Sequence, residues 1–179
     1  MKPLLLLLLL LLPFAKVSAQ KDAIDKSTDV LAVLPTATGV VAAVIEHDRK
    51  GAIQLGLSTA STLAINYGLE ALIKKDRPDG SGHHSFPSTH TAVAFDGSTY
   101  LMRRYGWKWG VPAYIASTYV AWGRVYADKH DVWDVLGGAA IGTGCAFLFT
   151  RPFMKEKQIT LAPASFGHEG CGVYLSMVF

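Results

Sequence analysis

The sequence predicts an all-α protein: a bundle of four or five helices followed by a small C-terminal β-hairpin. Three observations carry this. Stretches of helical length with little or no charge recur at residues 30–45, 51–69, 109–122 and 135–150. The segments between them gather Pro, Gly and charge, as in EHDRKG at 46–51, DRPDGSG at 76–82 and Arg151-Pro152. The last residues then change period, with Val173, Leu175, Met177 and Phe179 alternating with Tyr174, Ser176 and Val178.

In chain order, residues 1–19 read as a signal peptide. Met1-Lys2 is a short basic start, residues 4–12 are an unbroken leucine run, and Val17-Ser18-Ala19 supplies the small residues before a cleavage point. An uncleaved first membrane span is the alternative. Residues 22–29 are polar and read as a mobile lead-in. Residues 30–45 read as a helix punctuated by Pro35 and Gly39, closed by the charged loop at 46–51. The helix from Gly51 is rich in small residues, which suits close packing in a bundle or a bilayer, and it ends before Arg77-Pro78 because the residue preceding proline leaves the helical region. Ser88 is a natural cap for the next helix, which runs to about Arg104. Residues 109–122 and 135–150 supply the remaining helices, and residues 159–161 are the expected partner of the final strand.

With 179 residues the chain has room for one domain with a proper core. Its formal charge is +3, and removal of the leader takes away Lys2 and Lys16 and no acid, leaving +1. Nucleic acid is therefore not an expected partner, since the basic residues form short loop clusters rather than one stripe. Cys145 and Cys171 have neither a disulfide framework nor metal-ligand spacing, and whether an exported chain joins them is left open.

Three patches at helix boundaries carry groups suited to phosphate. Lys74-Lys75-Asp76-Arg77-Pro78 is cationic. Pro87-Ser88-Thr89-His90 places a histidine within one turn of a helix N-terminus, where backbone N–H groups are free for an anion. Gly123–Asp134 holds Arg124, His130 and Asp134; four residues apart, His130 and Asp134 share a helix face, so the carboxylate can orient the imidazole. His83 and His84 are adjacent and lack partners at ligand spacing, and they are expected at the entrance rather than on a metal.

Taken together, the motifs resemble the type 2 phosphatidic acid phosphatase (PAP2) superfamily, which shares its site with vanadium haloperoxidases and bacterial class A acid phosphatases. The family pattern is KxxxxxxRP, PSGH and SRxxxxxHxxxD; this chain has Arg77-Pro78, Pro87-Ser88-Thr89-His90, and Gly123-Arg124 with His130 and Asp134 at the family spacing. The likeness spans residues 51–150. It departs from the pattern at Glu70, where the family lysine falls, at Thr89 in place of glycine, and at Gly123 in place of serine. By resemblance His130 is the nucleophile, Asp134 orients it, and His90 protonates the leaving group and then activates water. Arg77, Arg124, Lys74 in place of the missing lysine, and the N–H groups near Ser88 and Thr89 bind the phosphate, with no metal and no cofactor.

The domain is then 20–157, with 158–179 as a tail. Asp96 and Glu70 inside helices favour a water-soluble bundle. Against this, the loops at 46–51, 103–108 and 151–157 each carry at least two Lys or Arg and lie at the opposite end from the site loops, as the positive-inside rule requires of a membrane protein whose site faces outward. The expected function is hydrolysis of a phosphate monoester or diphosphate, of a lipid in the envelope membrane. A soluble periplasmic acid phosphatase of broad specificity acting on small phosphate esters, and a non-catalytic envelope scaffold, are the alternatives. Oligomeric state is left open.

Overall fold

The computed structural model describes the backbone of residues 2–153, 159–165 and 171–177, and the side chains of residues 19–153. Among the described residues five helices follow one another: α1 Lys2–Ile45, α2 Arg49–Leu72, α3 Thr89–Tyr105, α4 Trp107–Tyr126 and α5 Val132–Phe149. Helix α3 is the centre of the bundle and touches all four others.

Small residues let the backbones come this close. A Cβ on Gly142 would stand 2.0 Å from the carbonyl oxygen of Ala92, and one on Gly138 would stand 2.4 Å from that of Ser88, so α5 lies directly on α3. On the other side, a Cβ on Gly97 would meet the backbone nitrogen of Thr36 at 2.4 Å, which seats α1 on α3. The interior is correspondingly small and polar. Asp96 accepts from Ser58 and, at 2.7 Å, from Thr59; Ser98 pairs with Ser117 at 2.6 Å. Val30, Val33, Val41, Val44, Ile53, Leu57, Ile115, Trp122 and Leu148 face outward.

The basic loops gather at one end. Asp48, the N-cap of α2, accepts from Gly51 N at 2.9 Å and takes two bonds of 2.6 Å from Arg104. Arg104 also donates to the carbonyl of Arg151 at 2.7 Å, and Arg103 donates to that of Thr150 at 2.7 Å. Burial opposes ionisation of Asp48, but Arg104 and the Gly51 N–H outweigh it and hold the carboxyl below its ordinary range.

Three expectations change. Residues 22–29 are not a mobile lead-in but part of one uninterrupted helix, because their acids pair with α4 and the turn after it. The loop expected at 46–51 shrinks to 46–48, since the Asp48 cap starts α2 at Arg49. His130 lies in the turn before α5 rather than on it. Strands β1 Ile159–Ser165 and β2 Cys171–Met177 pair antiparallel with Ile159 opposite Met177. The glycine-rich turn at 166–170 and the last two residues of the alternating stretch lie outside the described residues. Cys145 is buried and has no disulfide partner among the described side chains.

Candidate active site

The end of the bundle away from Asp48 carries the α2–α3 loop, the α4–α5 turn and the 21–29 segment of α1. The two connections are tied to each other. Asp79 N donates to the carbonyl of Asp128 at 3.0 Å, and Lys129 reaches the Asp79 carboxylate at 2.9 Å. Within the turn, the N–H groups of Lys129 and His130 both donate to the carbonyl of Arg124, at 3.1 and 3.3 Å, which folds position 130 back beside position 124.

His130 is 3% exposed. Its Nδ1 lies 2.8 Å from the carbonyl oxygen of Ser85, which can only accept; Nδ1 therefore carries the proton and Nε2 bears the lone pair. Burial pushes this imidazole down to about 4, the Ser85 bond opposes that, and the charges of Arg124 and Arg77 reinforce it. The ring is neutral at ordinary pH, as a nucleophile must be.

Asp134 was expected to hold His130 directly. Its Oδ2 is 3.8 Å from Nδ1, beyond hydrogen-bond reach. It accepts instead from Ser85 Oγ at 2.5 Å and from Asp131 N at 3.0 Å, the second bond completing a capping box at the start of α5. Asp134 therefore holds the histidine through Ser85: its carboxylate fixes the residue whose carbonyl fixes the ring. The reason is the position of His130 ahead of the helix, where the four-residue spacing does not align it with Asp134.

The lysine side also differs from expectation. Lys74 is exposed, whereas Lys75 turns inward and donates to Asp131 at 2.5 Å and to Asp134 at 2.6 Å. A strand-like bridge between Lys75 and His84, with Ser85 N donating to the carbonyl of Lys75 at 2.9 Å, sets this direction. Burial works against the ammonium, but the two carboxylates outweigh it and raise its affinity for a proton. Glu70, in the place of the family lysine, accepts from Thr89 Oγ1 at 2.6 Å, so the two departures from the family pattern are bonded to each other.

Ser88 occupies the N-cap position of α3 but makes no side-chain cap bond; its Oγ accepts from Thr91 at 3.1 Å while its own N–H donates to the carbonyl of Asp134. The first N–H groups of α3 are thus left for an anion. Two guanidiniums act on the same spot: the charges of Arg77 and Arg124 bear on both His90 and His130. Among the described residues the buried Nε atoms of both arginines have no hydrogen-bond partner, so each N–H can donate to a phosphate oxygen.

Sequence reasoning missed α1. Arg124 Nη1 is 2.7 Å from Asp25 and 2.7 Å from Asp29, and Asp29 Oδ1 is 3.1 Å from His90 Nε2. Thr28 Oγ1 is 3.4 Å from the same Nη1, and a Cβ on Gly123 would strike Thr28 Cγ2 at 2.5 Å. Thr28 of α1 thus fills the space that a side chain at 123 would take. Lys21, Asp25 and Asp29 at spacings of four were the available signal, one helix face once residues 22–29 are read as helix. His83 pairs with Asp76 on the exposed loop, and His84 Nδ1 is 3.1 Å from the carbonyl of Glu70.

A helical bundle that turns a neutral histidine, a second histidine, two arginines with free Nε groups and an open helix N-terminus toward one spot is suited to holding a phosphate group. The PAP2 superfamily pattern matches residues 54–158, and the chain belongs to that superfamily, as one of its phosphatases. It is 27% identical to the lipid A 4'-phosphatase of Helicobacter pylori (strain J99) over 162 residues, 84% of this chain and 81% of that protein. It is 28% identical to the lipid A 1-phosphatase of Helicobacter pylori (strain 26695), covering 83% of this chain and 84% of that one. In fold it is similar to the crystal structure of Aquifex aeolicus LpxE, with a TM-score of 0.59 and 21% identity over 70% of this chain and 84% of that chain.

Proposed function

We propose that this protein hydrolyses the phosphate of a membrane lipid, with the site at the outer face of the envelope membrane. One observation carries the lipid reading. An apolar groove of about 490 Å³ runs between α1, α2 and α3, walled by Val33, Ala37, Val40, Leu63 and Val93, and ends at Thr89 and His90. An acyl or isoprenoid chain lying there brings its phosphate to the arginines. Since relatives are named as lipid A phosphatases, lipid A is the first substrate to try.

Membrane residence agrees with the inside-out composition. Residues 19–45 of α1, with mean hydropathy 1.8, and α5, with 1.5, are long and apolar enough to cross a bilayer. Asp96 does not oppose this, since it is satisfied inside the bundle by Ser58 and Thr59. The arginine- and lysine-bearing loops at the end of Asp48 would face the cytoplasm and the site the periplasm. Residues 1–19 act as the export leader; cleavage after Ala19 leaves Asp25 and Asp29 in place, and the intact mass of the extracted protein tests it.

In the reaction, Nε2 of His130 attacks phosphorus while Arg77, Arg124 and the α3 N–H groups balance charge on the non-bridging oxygens. The P–O ester bond breaks, its electron pair leaves on the alkoxide, and His90 supplies the proton. His90 then takes a proton from water, whose oxygen attacks the phosphohistidine and restores His130. Ala37 is exposed on the groove wall, so Ala37→Phe fills the groove without disturbing the bundle. KM for lipid phosphates in mixed micelles is expected to rise about tenfold, as for loss of about 1.4 kcal/mol of binding, with turnover of a soluble aryl phosphate unchanged. Equal effects on both substrates would remove the groove from the reading, and preference for the soluble ester would favour a broad acid phosphatase.

A further inference from the structure

The two histidines of the site are held by different chemistry. His130 is held by a neutral carbonyl, whereas His90, half-buried, is met by a carboxylate that no family motif contains: Asp29 Oδ1, 3.1 Å from Nε2. We propose that Asp29 is a positioning residue for the acid–base histidine: it takes His90 by Nε2, leaves Nδ1 to serve the leaving group, and with Asp25 clamps Arg124 so that its Nε edge faces the phosphate. The proposal rests on the phosphatase reading above.

The geometry supports each part. Asp25 and Asp29 lie one turn apart on α1 and both contact Arg124 Nη1 at 2.7 Å, the bond of Asp29 coming from the same oxygen that meets His90. Held from the Nη1 side, and 4% exposed, Arg124 keeps a buried Nε without a partner. That free edge is what a phosphate oxygen needs. The Nδ1 of His90 has no protein partner among the described residues. The helix itself is pinned by Lys21 to Asp128 and by Asp25 to Lys129 at 3.8 Å, so the carboxylates do not depend on Arg124 alone for their position.

The division of labour follows. A general acid must carry a proton that the nucleophile lacks, and enzymes achieve this by giving two like groups unlike surroundings. Burial, Arg124 and Arg77 hold His90 below the ordinary histidine range, and Asp29 and Asp25 lessen that preference for the neutral form without cancelling it. As the P–O bond breaks, the electron pair moves to the leaving oxygen, which takes the proton from Nδ1. The Nε2 proton stays on the ring, in ion-pair range of Asp29, and the ring ends neutral.

The test compares wild type, Asp29→Asn and Asp29→Glu on two soluble esters, 4-nitrophenyl phosphate, whose leaving group departs unprotonated, and a simple alkyl phosphate, whose leaving group needs the proton. Asp29 is half-exposed and Asn is isosteric, so folding is not at stake. Asp29→Asn is expected to lower kcat for the alkyl ester about tenfold or more beyond its effect on the aryl ester. It should also move the alkaline limb of the pH profile to lower pH, because the protonated ring loses its carboxylate. Asp29→Glu should restore part of both, and in a His90→Ala background the extra loss on the alkyl ester should vanish, leaving only the loss that both esters share through Arg124. Equal losses on the two esters, or an unmoved alkaline limb, would overturn the proposal. So would faster turnover with tighter inhibition by inorganic phosphate, the behaviour of a carboxylate that merely occupies the phosphate's place. Absence of wild-type turnover on any phosphate ester would instead overturn the phosphatase reading, a result distinct from all of these.

Discussion

The nucleophile should make the protein acid-sensitive in a window set by its own burial. In the folded protein His130 titrates near 4, whereas in the unfolded chain it returns to an ordinary histidine value near 6.5. Between those values the unfolded chain binds a proton that the folded one refuses. Stability from this group is therefore complete above about pH 6.5 and is lost as the pH falls toward 4. Integrated from pH 7.5 to 4.5, the loss is roughly 2–3 kcal/mol. Other groups titrate in the same range, so the quantity to measure is the difference between wild type and His130→Gln, followed by thermal unfolding in detergent at several pH values. Wild type is expected to lose several degrees of Tm more than the variant across this interval. Parallel curves would mean that His130 is not buried and neutral as described, and the assignment of Nε2 as a free nucleophile would lose its basis.

Two further outcomes test the lysine side and the helix packing. Lys75→Ala leaves Asp134 and Asp131 without their cation and should lower kcat about tenfold or more, while Lys74→Ala should leave turnover near that of wild type; the reverse order would restore Lys74 as the phosphate-binding lysine. Gly142→Ala drives a methyl to 2.0 Å from the carbonyl of Ala92 and should cost about 1–3 kcal/mol in thermal unfolding. Gly144→Ala meets open space on the same helix and should be neutral or slightly stabilising; equal effects at the two positions would refute the close α3–α5 approach.

The helices were legible because their boundaries carry chemistry that acts locally. Ser88 sits at a helix start whether or not its side chain bonds there, although α2 already stops at Leu72, ahead of the Arg77-Pro78 read as its end. The pairing of Arg77, His90, Arg124 and His130 was legible for the same reason: each lies at such a boundary, and the bundle brings those boundaries to one end. What escaped is what depends on tertiary direction. Lys74 and Lys75 are neighbours, and only the Lys75–His84 bridge decides which one turns inward. The role of Asp134 was read from its spacing to His130, but that spacing has its helical meaning only within a helix, and α5 starts two residues after His130. The stretch from Asp22 to Asp29 is polar by composition, and its ordering comes from partners a hundred residues away, Arg124 and Lys129. Long-range pairing of that kind leaves no periodic trace beyond the four-residue spacing of Lys21, Asp25 and Asp29.

The central claim is that His130 carries the phosphoryl group, and trapping the intermediate addresses it most directly. Purified protein would be mixed with a labelled phosphate ester, quenched in alkali within the first turnovers, digested and mapped by mass spectrometry. A phosphoryl group stable to alkali and labile to acid is expected on His130, absent in His130→Ala, with turnover of that variant lower by a thousandfold or more. A phosphoryl group found on another residue, or wild-type turnover by His130→Ala, would contradict it.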